Sequence, residues 1–138
     1  MAIREEIFDP LRKKYVALTP EERVRQGFIQ WLNRERGYSL SLMASEYGIK
    51  LGKKELRCDI VCFTNDLRPV MIVECKAPSV NLGREVVEQI CRYNIIMRVK
   101  YLTITNGVTT FAFEYNGAKR CYNPISDIPE YAECRVSK

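Results

Sequence analysis

At 138 residues the chain suits a single domain with one sizeable core, and its 46% apolar content excludes a disordered chain. A net charge of +5 is compatible with a polyanionic partner without requiring one. No apolar run approaches the ~18 residues of a membrane span and no charged-then-apolar leader is present, so a cytoplasmic protein is the simplest expectation.

Residues 1–18 read as a charged surface arm, interrupted by Asp9-Pro10, with Phe8, Leu11, Tyr15 and Val16 available to pack onto a domain that occupies residues 19–138. A strong helix start follows. Thr19 can cap, Pro20 suits the first helical position, and Glu22 stands where a capping box requires an acid. Val24, Phe28, Trp31 and Leu32 recur at helical spacing, and Gly37 supplies the stop. Residues 39–51 read as a first strand that carries Glu46. Lys50, Lys53, Lys54 and Arg57 then crowd a turn, which reads either as a solvated loop or as a phosphate contact.

Two apolar strands come next, Arg57–Thr64 and Val70–Lys76, joined by a polar turn at Asn65-Asp66. After Pro78 a loop leads to a second helix from Gly83 to Val99, on which Gln89 and Tyr93 share a face. Tyr101–Thr105 reads as a short strand, Asn106-Gly107 as a turn and Thr109–Glu114 as its partner. The remainder, with Pro124 and Pro129, has no clear period. This order indicates an α/β domain, a mixed central sheet flanked by helices, with the Asp59–Lys76 hairpin at one edge.

Six cysteines are present, but there is no histidine and no C-x₂-C, so a zinc site is poorly supported. They read as reduced and structural. No Walker-type loop appears, which argues against a nucleotide triphosphatase.

Three charges are written into the apolar hairpin: Asp59, Glu74 and Lys76. Charge in a strand buried on both faces needs a reason, because desolvating an unpaired carboxylate is costly. Glu74 and Lys76 are two apart and leave the same face, and Asp59 lies across the hairpin. A bland salt-bridged trio is one reading. The other is metal-assisted phosphodiester hydrolysis, which wants two carboxylates for a hard cation such as Mg²⁺, or Mn²⁺ in its place, and an ammonium to position water. In that reading Asp59 and Glu74 are ligands, the Cys75 carbonyl adds a third, and Lys76 is the water positioner.

Asp59 followed by Glu74-Cys75-Lys76-Ala77-Pro78 resembles the D…E-x-K-A-P signature of the PD-(D/E)xK nuclease superfamily. The likeness is nearest to the N-terminal nuclease domain of type I restriction enzyme R subunits. Leu18–Gln26, Gln89-x-x-x-Tyr93 and the ITNG of Ile104–Gly107 match in the same order. The resemblance implies a restriction-endonuclease-like fold and a Mg²⁺-dependent endodeoxyribonuclease of a restriction system. DNA is the implied partner, with separate recognition or motor subunits. It implies that Gln89 points toward the scissile region, supported by Tyr93. It also implies a further carboxylate near the metal, for which Glu22, Gln26 and Glu46 mark the positions; the capping-box position of Glu22 explains that residue with no chemistry, and Glu22 stands as a supporting site only. A catalytically silent DNA-binding or assembly module of the same fold, and a repair or junction-resolving nuclease, stay open as alternatives.

Overall fold

The computed structural model describes residues 4–135, so Met1–Ile3 of the expected arm lie outside the described residues. The rest of that arm contains a β-hairpin, β1 (Glu6–Asp9) paired antiparallel with β2 (Lys14–Ala17). Its turn is closed by Asp9. The Asp9 carbonyl accepts from Lys13 N–H at 2.7 Å, and the Asp9 carboxylate accepts from Leu11 N–H at 2.8 Å. Aspartate binding the backbone two residues on is a turn-forming device in its own right. Phe8 and Tyr15 stack edge-on at 5.3 Å but stay exposed, while Leu11 packs on the core.

Helix α1 (Pro20–Arg36) follows the expected bounds. Thr19 Oγ1 accepts from Glu22 N–H at 3.0 Å, and Gly37 adopts φ 76°, letting Tyr38 N–H bond back to Leu32 O at 3.1 Å. Only half of the capping box forms, because Thr19 N–H bonds to Ala17 O and the Glu22 carboxylate is committed elsewhere.

After a short 3₁₀ turn at Leu40–Leu42 come β3 (Met43–Leu51), β4 (Lys54–Phe63) and β5 (Pro69–Cys75). Helix α2 (Arg84–Asn94) is shorter than its sequence pattern suggests. It tightens into a 3₁₀ turn at Ile95–Met97 and ends at Arg98, in the left-handed region at φ 55°. Strands β6 (Tyr101–Thr105), β7 (Thr110–Asn116) and β8 (Cys121–Ile125) and the one-turn helix α3 (Tyr131–Arg135) complete the described chain. No helix among the described residues is long and apolar enough to cross a membrane.

The six-stranded sheet runs β3-β4-β5-β6-β7-β8. Every pairing is antiparallel except β5 with β6, whose crossover α2 supplies. This is the expected α/β, restriction-endonuclease-like architecture, with one correction. The β4–β5 hairpin is interior to the sheet, not at its edge, because β3 flanks it on one side and β6 on the other. Strand β8 was hidden by Pro124, which a sheet tolerates on an edge strand.

Two cores sandwich the sheet. Ile60, Cys62, Met71, Val73 and Cys75 meet Val24, Ile29 and Leu32 of α1 on one face. Val61, Ile72, Leu102 and Ile104 meet Leu82 and Ile90 on the α2 face. Alternate residues of β5 therefore serve opposite faces, as a strand buried on both sides demands. The six cysteines are free thiols, and four of them are buried.

Candidate active site

Strand register brings Asp59 and Glu74 together. The β4–β5 ladder pairs Ile60 with Val73, and one step beyond it Asp59 and Glu74 stand where the next pair would form. There the Asp59 carboxylate stands in for main chain, accepting from Cys75 N–H through Oδ2 at 2.7 Å. Lys76 anchors its backbone to β6 through Thr105 O at 2.9 Å and places its ammonium 3.3 Å from Glu74 Oε2.

Strands β3 and β4 reverse their facing at this level. Ser45 and Ile60, paired in register, belong to the α1 side, whereas Tyr47 and Cys58, the next pair along the ladder, belong to the α2 side. Between them lie Glu46 and Asp59. Glu46 adopts φ 52°, a left-handed conformation that costs a non-glycine residue energy and clusters at functional positions. Arg57 Nη1 holds the Glu46 carbonyl at 2.9 Å.

Burial pushes the Asp59 carboxyl up to about 6. The Cys75 N–H and Arg25 offset part of this, while the charges of Glu74 and Glu21 add to it. Burial raises Glu74 as well, against the opposing pull of Lys76. The Cys75 thiol is raised well above its ordinary value by burial, so it stays a neutral core side chain. A Cys75 contribution to a cation would have to come from its carbonyl.

The α1 acids divide their work. Glu22 is buried, and its oxygens accept from Arg12 at 2.9 and 3.0 Å, from Arg25 at 3.2 Å and from Gln26 at 2.9 Å. Gln26 is likewise buried in this network. The α1 acid whose charge reaches both Asp59 and Glu74 is Glu21. Sequence reasoning passed over it because Glu22 fits the cap so well. It also passed over Arg25, whose Nη2 donates to Glu46 Oε1 at 2.8 Å and to Asp59 Oδ1 at 3.4 Å. The only available signal was a lone arginine on the helix face that also carries apolar residues.

Glu74 and Lys76 open onto a cleft of about 380 Å³ that they line together with Arg57, Val86, Gln89, Ile90 and Tyr93. Gln89 and Tyr93 are both exposed there, one helical turn apart on α2. The expected Q-x-x-x-Y pair therefore faces the E-x-K pair across open space. A larger apolar groove of about 880 Å³ lies between α1 and β7–β8, lined in part by Phe28, Trp31, Phe111 and Ile125.

A family model described as the type I restriction enzyme R protein N terminus matches residues 20–129. The chain belongs to that family. The match takes in α1, the whole six-stranded sheet and α2, and it carries a nuclease-like role. The β1–β2 hairpin lies before it. Comparison with curated proteins finds no match.

Among the described residues no group of three or more His, Cys, Asp or Glu side chains is gathered as a cation cage. The donor set nevertheless suits Mg²⁺, which is commonly held by one or two carboxylates and completes its shell with water and substrate phosphate. Two carboxylates raised chiefly by burial, Asp59 also by the charge of Glu74, are the groups a hard cation would neutralise.

Proposed function

We propose that this domain is a metal-dependent endodeoxyribonuclease, the cleavage module of a restriction system, with DNA as substrate. The observation that carries this reading is the pair of desolvated carboxylates Asp59 and Glu74 on neighbouring strands, with Glu74 set beside the Lys76 ammonium in an open cleft.

Asp59, Glu74 and the Cys75 carbonyl would hold Mg²⁺ or Mn²⁺, which when bound polarises the phosphate and lowers the pKa of a water. Lys76, about one-third exposed and close to Glu74, orients the attacking water and stabilises charge developing on the phosphate. Gln89 and Tyr93 define the opposite wall and position the backbone. Arg57, Arg84, Arg92 and Arg98, all exposed, supply phosphate contacts without base readout. Sequence recognition and translocation would then fall to other subunits.

Relaxation of supercoiled plasmid tests the reading. Nicking should require Mg²⁺ or Mn²⁺, stop with EDTA, and fall by about 10²–10³ in Lys76→Ala, as when a transition-state donor is removed. Equal nicking by wild type and Lys76→Ala would end the proposal.

A second reading, a DNA-binding or assembly module that cuts nothing, has one observation behind it: Arg25 already occupies Asp59 Oδ1. Salt-sensitive DNA binding without nicking in any divalent ion would favour it.

A further inference from the structure

Arg25 is a buried cation of the site with one of its donors left unsatisfied. It is 4% exposed, and its guanidinium is shared by carboxylates from three elements: Glu22 of α1, Glu46 of β3 and Asp59 of β4. Its Nε is buried with no hydrogen-bond partner. Each of the three carboxylates, by contrast, has another means of support. Glu22 is held by Arg12 and Gln26, Asp59 by Cys75 N–H, and Glu46 is exposed enough to be hydrated. The longest of the Arg25 contacts, at 3.4 Å, is the one to Asp59.

A buried cation with an orphaned donor, whose acceptors can all do without it, is poised to change partners. We propose that Arg25 is a resident counter-ion of the site, neutralising Asp59 and Glu46 when no metal is bound and releasing Asp59 when a divalent cation arrives. This inference rests on the reading of Asp59 and Glu74 as cation ligands. Arg25 thus stabilises the empty site and lowers its cation affinity, because a divalent ion must either displace a positive charge or bind beside one. Within a few ångströms and outside bulk water, that repulsion is large. Glu46 serves as the alternative perch, and its left-handed backbone turns it toward the guanidinium at the level of Asp59.

Mn²⁺ titration of the full chain without DNA, followed by calorimetry and by the EPR signal of free Mn²⁺, provides the test. Arg25→Gln should melt at lower temperature in EDTA yet bind Mn²⁺ at least about tenfold more tightly, since it removes a charge repelling a divalent ion. Arg25→Lys keeps the charge and should return the affinity to within about threefold of wild type, by the same electrostatic argument. Equal or weaker Mn²⁺ binding by Arg25→Gln overturns the inference while leaving the metal site standing. Wild type that binds no Mn²⁺ overturns the metal site and the inference together. If Arg25→Gln fails to fold, the guanidinium resonances of ¹⁵N-arginine-labelled wild type decide. Saturating Mg²⁺ should shift the Arg25 signal and speed rotation about its Nη bonds, and a signal unchanged at saturation overturns the proposal.

Discussion

Asp9 and Asp59 stand at opposite ends of one run of charges, Asp9–Arg12–Glu22–Arg25–Asp59, and burial has opposite consequences for them. Asp9 is fully buried, which by itself would raise its carboxyl, yet Arg12, Ser45, Leu11 N–H and Gln26 together draw it below the ordinary range. Asp59 keeps more solvent exposure but has fewer donors, and desolvation leaves its carboxyl raised. The donors separate them: a carboxylate enclosed by partners is structure, and one left short of them is available for chemistry. The closed end is built by the β1–β2 hairpin, before the family match, and the open end by the sheet within it.

The sharpest way to break this contrast is to neutralise each carboxylate in turn without metal. Asp9→Asn leaves the Arg12 guanidinium short of its buried partner and should cost about 3–5 kcal/mol, the usual penalty for breaking a buried pair. Asp59→Asn should be at least as stable as wild type above pH 6, because it removes a charge that burial disfavours. Urea melts in EDTA measure both. Equal losses would mean that Asp59 is as well satisfied as Asp9.

Acid titration separates the two ends by sign. A carboxyl whose folded value exceeds its unfolded one binds its proton more tightly when folded. Asp59 therefore makes the protein lose stability as pH rises from about 4 to about 6, by an amount on the order of 3 kcal/mol, with no further change above. Glu74 adds in the same direction. Asp9, being depressed, contributes stability that is present above its unfolded value near 3.8 and lost as pH falls through its folded one. Metal-free wild type should therefore be most stable near pH 4, and Asp59→Asn should flatten the fall above it. A wild-type curve that rises from pH 4 to pH 6 would contradict the raised carboxyl.

Metal should erase part of that fall. A cation that binds only the folded form adds RT ln(1 + [L]/Kd), about 2.7 kcal/mol at a hundredfold excess over Kd. Mn²⁺ should accordingly raise the wild-type melting temperature, and Asp59→Asn should gain much less. Thermal melts in EDTA and in millimolar Mn²⁺ suffice. An equal shift in both proteins would place the cation somewhere other than Asp59.

Much of this was legible in the chain because local rules and tertiary structure agree. Thr19-Pro20 and Gly37 mark the ends of α1, and the two-residue spacing of Glu74 and Lys76 sets them on one face where β5 ends. The hairpin of residues 6–17 was obscured by its charges and by Asp9-Pro10, whose turn is made by a side chain. The position of the site within the sheet depends on long-range order, on β3 adding outside β4, which no local pattern encodes. Glu21 and Arg25 were missed for different reasons. Glu22's fit to the cap masked Glu21, and the role of Arg25 follows from the reversal of β3 and β4 at Glu46 and Asp59, a backbone event with no residue type to announce it.

Gln89 gives the smallest effect and the finest test, because it belongs to neither carboxylate cluster. It stands exposed on α2, on the wall of the cleft that Glu74 and Lys76 line. Exposed side chains away from caps and cores change stability by only about ±0.5 kcal/mol when truncated, so Gln89→Ala should melt as wild type does and bind Mn²⁺ unchanged. If the glutamine holds the scissile phosphate or the attacking water in register with Lys76, cleavage should still fall about tenfold or more, since misplacing a reacting group is costly even when binding is intact. The loss should appear in kcat rather than in DNA affinity, which the proposed arginine contacts would carry. Single-turnover cleavage beside filter binding separates the two. Wild-type cleavage in Gln89→Ala would leave Gln89 and Tyr93 as an ordinary half-exposed helix face, and the working half of the cleft would then be the β5 side alone.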